Sequence, residues 1–260
     1  MSKYIVWKFG GTSQSYTTYN MILQKLEQIK DKTKVVIVLS AISGITNKLL
    51  DLVLYNKNTI FDIIEQNYLL ASKCNVNIKE VSENFIAECM NKKTLDDQIS
   101  IVSKGEFFTA TILNNFLQLH NIESNFVSSL DVISSNQENN NLYNKGEFTV
   151  DSKKIISNFE SCDVIIIPGF SGRSPYNKYC LLGRGGSDTS GSIIAAALNA
   201  SLYEIWTDVN GIYSSDPRKI TNTFINEIVH YDAAQEVAAM GAKVIHPYCI
   251  LPCAIKYIPI

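Results

Sequence analysis

Leu182-Gly183-Arg184-Gly185-Gly186-Ser187-Asp188-Thr189-Ser190 is the stretch on which the fold turns. An apolar run, Asp163 to Pro168, precedes it through a polar link that reads as a hairpin, and Ile193 to Leu198, with Ala200, follows as a buried helix. A glycine cluster between a strand region and a helix start leaves backbone N–H groups unpaired and aimed at one spot, a ready site for an anion. Arg184 adds a planar fork suited to carboxylate or phosphate. Ser187 is placed to cap the helix, and Asp188 sets a carboxylate beside the anion site. That carboxylate is unfavourable there unless a cation, Mg²⁺ or a lysine, lies between, and the requirement points to phosphoryl chemistry.

Outward from this turn, strands alternate with helices. Tyr4 to Phe9 is β-prone and ends at Gly10-Gly11; Thr12 or Ser13 can cap a helix in which Met21, Ile22, Leu26 and Ile29 recur at helical spacing. Lys34 to Leu39 is almost wholly apolar, as a strand covered on both faces of a parallel sheet should be. Residues 43–92 show no convincing strand and read as consecutive helices broken at Asn56 to Asn58. Lys104 to Leu119 is a further helix, with Ser103-Lys104-Gly105-Glu106 at its start. Asn125 to Val127 reads as a short strand, Asn136 to Asn141 as a polar loop, and Asp151 as the cap of the next helix. Tyr203 to Trp206 is a strand, and Asp232 to Met240 a helix. The alternation predicts an α/β fold, a three-layer αβα sandwich around an open, mainly parallel sheet.

Bulk properties narrow the function. A chain of 260 residues, 46% hydrophobic, can bury a large core, and a net charge of -2 argues against nucleic-acid or anionic-membrane partners. The 6 cysteines show no CxxC pair and no zinc spacing with the 3 histidines, so no protein metal site is expected and a reducing, cytoplasmic setting is. No segment approaches the length of an apolar membrane span. Neither GxxxxGK[ST] nor a GxGxxG at a strand–helix junction occurs, which excludes the common phosphate and dinucleotide loops.

Candidate chemistry gathers in separate motifs. Lys8-Phe9-Gly10-Gly11-Thr12-Ser13 follows the first strand, where glycines let a phosphate approach and Lys8 supplies a mobile charge. Ser40 to Asn47 (SAISGITN) lies after the second strand, where open α/β sheets place ligands. Glu106 either complements a helix dipole or receives a substrate ammonium. Trp206 to Tyr213, with Asp216-Pro217-Arg218, offers groups for a base, ribose and phosphates. Gly241 to Pro247 places Lys243 in a small-residue turn.

In this order and spacing, KFGGTS, SAISGITN, SKGE, LGRGGSD, WTDVNGIYSSDPR and GAKVIHP closely resemble the catalytic domain of the aspartate kinases, in the amino acid kinase family. The resemblance implies two lobes, residues 1–165 holding the amino acid and 166–260 the nucleotide. It implies ATP-dependent phosphorylation of the side-chain carboxylate of L-aspartate to 4-phospho-L-aspartate, a step toward lysine, threonine and methionine, with Mg²⁺ accompanying ATP; a homodimer is compatible with this reading, and the sequence does not reveal the oligomeric state. Lys8 and Asp188 would be catalytic, Asp188 orienting Lys8 or the metal. Ser40, Thr46, Glu106, Arg184 and Ser187 would hold aspartate, and Gly10, Gly11, Ser13, Thr207, Asp208, Tyr213, Arg218 and Lys243, with Lys8, would surround ATP. A relative with another carboxylate acceptor, or a non-catalytic partner subunit, is the alternative. The sequence stops at Ile260, before the regulatory ACT domains and the next strand that the resemblance leads one to expect, so no built-in effector site is expected. Gln14, Phe107 and Asn210 depart from the family pattern.

Overall fold

The computed structural model describes residues 3–29, 33–216, 219–240 and 245–260. Strands β1 (Lys3–Phe9) and β2 (Thr33–Leu39) flank helix α1 (Tyr16–Glu27). Helices α2 (Ile45–Leu54), α3 (Ile60–Lys73), α4 (Lys79–Met90) and α5 (Leu95–Leu119) follow without an intervening strand. Next come β3 (Ser124–Phe126), α6 (Ser129–Val132), β4 (Ile133–Ser135), β5 (Phe148–Val150) and α7 (Ser152–Asn158). The remainder is β6 (Val164–Pro168), β7 (Ser171–Arg173), β8 (Tyr179–Leu181), α8 (Gly186–Leu198), β9 (Leu202–Trp206), α9 (Tyr231–Ala239) and α10 (Ile250–Ile255).

The expected parallel sheet is present, with strands in the order β3-β6-β2-β1-β9. All of its ladders are parallel. Registers Phe9↔Leu39, Phe9↔Trp206 and Leu39↔Pro168 bring these strands to one edge together. Hydrogen bonds carry the alignment a step further: Gly10 N–H to Trp206 C=O at 3.0 Å, Ser40 N–H to Phe9 C=O at 3.1 Å, and Gly169 N–H to Leu39 C=O at 2.9 Å. Everything emerging from that edge shares one level. A smaller sheet, β5-β4-β7-β8, contains the expected hairpin as β7 and β8.

Side-chain alternation along the strands builds a core on each face of the parallel sheet. Trp7, Phe9, Val35, Ile37, Leu39 and Ile166 pack with the helices preceding β3. Val6, Val36, Val38, Ile165, Ile167 and Tyr203 pack with Ile194 and Leu198 of α8 and Cys253 of α10. All 6 cysteines are buried free thiols. The sandwich is therefore three-layered.

Local expectations fail at three helix starts. Helix α5 begins at Leu95, not near Lys104, because Thr94 and Asp97 form a capping box: Thr94 Oγ1 accepts the Asp97 N–H at 3.2 Å, and the Asp97 carboxylate accepts the Thr94 N–H at 2.8 Å. Ser103 to Glu106 thus lies mid-helix, and no dipole explains Glu106. Helix α1 is capped by Ser15, which accepts the Thr18 N–H at 3.2 Å; Gly11–Ser13 forms a 3-10 turn instead. Helix α8 is capped by Gly185 without any side-chain bond, which leaves Ser187 inside the helix. Asp151 does cap α7, accepting the Lys154 N–H at 3.2 Å.

Gly105 marks where α5 presses on the site-forming loop: a Cβ there would lie 2.7 Å from Ala41 Cβ and 3.2 Å from Leu49 Cδ1. Gly105→Ala gains about 1 kcal/mol of helix propensity. Overpacking against a backbone-fixed methyl costs about 1–3 kcal/mol. Urea unfolding should show the variant to be less stable than the parent; a higher midpoint would refute this packing.

Candidate active site

Lys8 is the penultimate residue of β1, which runs between β2 and β9, and shares a strand face with Val6, the side covered by α8. Only 8% of Lys8 is exposed. Its ammonium meets Asp188, in the first turn of α8, at 2.5 Å. Asp188 is itself held from below: its backbone C=O accepts the Tyr203 hydroxyl at 2.8 Å. A Cβ on Gly191 would come within 2.5 Å of that hydroxyl, so this helix face must stay bare. Gly185 needs glycine twice over. Its φ is 66°, and a Cβ would lie 2.2 Å from His246 Cγ.

Around this ion pair lies a cleft of about 470 Å³. Of the sequence-predicted residues, Lys8, Gly11, Ser40, Thr46, Glu106, Arg184, Ser187 and Asp188 all line it. They come from β1, from the segments after β1, β2 and β8, and from α2, α5 and α8, across much of the chain. Gly10 sits beside Lys8, whose Nζ would be 3.5 Å from a Cβ there. Ser13 does not line the cleft; its hydroxyl donates to the Trp206 C=O at 3.2 Å and ties the glycine loop to β9. Gln14 braces the same loop, donating from Nε2 to the Phe9 and Gly10 carbonyls at 3.2 and 3.0 Å and accepting the Tyr19 hydroxyl at 3.0 Å.

Glu106 is the most unusual group in the cleft. Oε1 accepts the Ala41 N–H at 3.2 Å, while Oε2 is buried with no hydrogen-bond partner among the described residues. Removal from water pushes its pKa from 4.5 up to about 8, against the opposing pull of the Ala41 N–H and the Lys8 charge. An unpartnered buried carboxyl oxygen facing a polar cleft is suited to receive a cationic ligand group.

Residues expected around a nucleotide stand past the end of β9. The Thr207 hydroxyl donates to Asp208 Oδ1 at 3.0 Å, and Tyr213 bridges to Ile225. Thr207 and Asn210 also line a second, larger cavity of about 700 Å³, whose walls include Ile205, Ile212, Ile225 and Ile250. That cavity is mostly apolar in its walls, and the convergent charges lie in the smaller one. Arg218 and Lys243 fall outside the described residues. Among the described residues no cluster of three metal-ligating side chains occurs. Magnesium, an ion that usually keeps few protein ligands, would be carried here largely by phosphate oxygens.

Sequence reasoning missed Tyr143 and Phe170, which also line the cleft. Phe170 adopts φ 66°, a conformation rare for a bulky residue, and no sequence signal announces it.

Comparison with known proteins accords with this geometry. The chain is 32% identical to the bifunctional aspartokinase/homoserine dehydrogenase of Buchnera aphidicola over 97% of its own length and 34% of that protein's. It is 32% identical to the aspartokinase of Rickettsia prowazekii over 95% of its length and 48% of that protein's. It thus spans from about a third to about half of these relatives. The fold superposes on E. coli aspartokinase III in complex with aspartate and ADP with a TM-score of 0.83 at 25% identity, covering 98% of this chain and 60% of that one. The family model for amino acid kinases matches residues 3–260, and the chain belongs to the amino acid kinase family.

Proposed function

We propose that the chain is an aspartate kinase catalytic domain, transferring the γ-phosphoryl group of ATP to the side-chain carboxylate of L-aspartate to give 4-phospho-L-aspartate and ADP. The observation that carries this reading is the convergence of the Lys8–Asp188 pair with Glu106 and Arg184 in one cleft at the carboxyl edge of the sheet. Glu106 and Arg184 offer one site for each charge of an α-amino acid: the ammonium to Glu106, a carboxylate to Arg184. Ser40, Thr46 and Ser187 supply hydroxyls between them. The acceptor carboxylate, with a reference pKa of about 3.9, is already ionised at pH 7 and needs no general base. What the protein must supply is positioning and positive charge, since phosphoryl transfer spreads negative charge over the equatorial oxygens. Lys8, oriented by Asp188 and flanked by Gly10 and Gly11, is suited to that task. Thr207, Asp208, Tyr213, Arg218 and Lys243 would surround the nucleotide, and Ser13 would hold the phosphate loop in shape. Magnesium would neutralise phosphate charge when bound.

In this reading the lobes are residues 1–165 and 166–260, with the acceptor at their junction. The product would lead toward lysine, threonine and methionine. A cytoplasmic setting is supported by the 6 free thiols. No helix of the described residues is long and apolar enough to cross a membrane. A homodimer is part of the reading, supported by exposed apolar side chains on and beside α2 and α3, Tyr55, Phe61 and Tyr68 among them.

Purified protein with Mg-ATP, a panel of amino acids and hydroxylamine should give aspartyl hydroxamate. Lys8→Ala should lower kcat by about 10²–10³, and Asp188→Ala should act in the same direction. Hydroxamate from another acid would shift the acceptor, and none with any acid would leave a non-catalytic subunit.

A second expectation concerns pH. Burial lets Glu106 hold its proton up to about pH 8, and a substrate ammonium needs the carboxylate. Acceptor binding at pH 7 should therefore release protons, seen in calorimetry as a heat that varies with buffer. KM for aspartate should fall as pH rises from 6 to 8, by about tenfold per unit at the steepest. The linkage to stability has the opposite sense. The folded state keeps a proton that the unfolded chain loses above pH 4.5, so this group lowers stability progressively between pH 4.5 and about 8. Glu106→Gln should abolish acceptor binding and melt higher than the parent at pH 8, with the gap closing toward pH 5. A variant that melts lower at pH 8 would contradict the assignment.

A further inference from the structure

Tyr143 stands on the loop between β4 and β5 and has no part in the reading above. It shares the cleft wall with Glu106 and Arg184. Its ring packs edge-on against Phe170, with centroids 6.3 Å apart and planes at 64°. Phe170 cannot drift: its N–H donates to Ser190 Oγ at 3.0 Å, and its C=O accepts the Leu182 N–H at 2.9 Å. A bulky residue held at positive φ in a ligand cleft marks a position whose side chain is needed there.

The loop carrying Tyr143 is pinned as well. Tyr143 N–H donates to Asn141 Oδ1 at 3.2 Å, and Asn144 N–H to the Leu181 C=O at 2.9 Å. The buried Asn144 side chain accepts from Ser135 Oγ at 2.7 Å and from the Gly146 N–H at 2.8 Å, and donates to the Gln137 C=O at 2.9 Å. The phenol is thus presented on a fixed backbone. Burial raises its pKa and the Arg184 charge pulls it back, so the guanidinium acts on the hydroxyl electrostatically while the phenol stays protonated at neutral pH. A protonated phenol within the field of an arginine is a hydrogen-bond donor awaiting an anion, because the arginine itself cannot accept.

We propose that Tyr143 sets acceptor specificity: its hydroxyl donates to the carboxylate that Arg184 pairs with, and its ring, backed by Phe170, closes the cleft against longer acids. This rests on the aspartate kinase reading. Steady-state kinetics of Tyr143→Phe and Tyr143→Ala, with aspartate, glutamate and ATP varied in turn, test it. Phenylalanine keeps the packing on Phe170 and removes only the donor. It should raise KM for aspartate roughly tenfold, the weight of a hydrogen bond to a charged group, while kcat and KM for ATP stay within about twofold. Tyr143→Ala should in addition narrow the aspartate-to-glutamate ratio of kcat/KM by roughly tenfold. An unchanged KM for aspartate in Tyr143→Phe, or an equal rise in both KM values, overturns the proposal while leaving the kinase reading intact if the parent is active. A parent that makes no hydroxamate from aspartate removes both.

Discussion

The contact between the Lys8 ammonium and the Asp188 carboxylate constrains more of this molecule than any other. Both side chains are largely buried, at 10% and 17% exposure, and an ion withdrawn from water that far is costly unless its counter-ion is held in place. Holding it requires β1 to end level with the first turn of α8. The parallel registers on either side of β1 set that level. Tyr203 fixes Asp188 from the adjacent strand, and Gly191 clears the space for it. Buried ion pairs are poor sources of stability compared with apolar packing of the same volume. One placed at the carboxyl edge of an open sheet, where such folds bind ligands, is better explained by what it does to a ligand.

The legible and illegible parts of the chain divide along a physical line. Buried parallel strands must be apolar on both faces, so KVVIVL and VIIIP could be read directly. Glycines after strand ends likewise announce close backbone approach. Helix starts proved harder, because several hydroxyl residues compete for each cap and only the final packing chooses among them. Thr94 and Asp97 carry a capping signal in sequence, and a reading that passes over it sets Glu106 at a helix start, where the dipole offers a bland explanation. Tyr143 was beyond reach altogether. Its loop has no periodicity, and its place depends on Asn144 bonding to residues on β4 and β8. The Phe170 backbone is imposed in the same way, by Ser190 and Leu182.

The departures from the family pattern take on local explanations. Gln14 braces the loop whose glycines flank Lys8, a structural duty for a polar side chain at a buried position. Phe107 packs on Phe126 at 5.0 Å, with the Lys104 ammonium 5.4 Å from its ring centroid. Asn210 lines the apolar cavity rather than the charged cleft. Phe107 and Asn210 do not line the cleft that holds the Lys8–Asp188 pair, whereas Gln14 acts on it through the glycine loop.

Two carboxyl groups line one cleft, and the fold treats them oppositely. Asp188 has an ammonium of the protein's own in contact. Glu106 has a single backbone N–H and an oxygen with nothing to bond. Had Lys8 reached equally to both, the site would be electrostatically complete when empty and would have little reason to bind a cation. With Lys8 committed to Asp188, Glu106 is left with a buried, unbonded oxygen and holds its proton, which a cationic ligand group would displace. Arg184 and Tyr143 line the same cleft, and a guanidinium and a protonated phenol are both donors suited to an anion. The cleft thus joins a carboxyl group suited to a cation with donors suited to a carboxylate, the two charges that an α-amino acid carries.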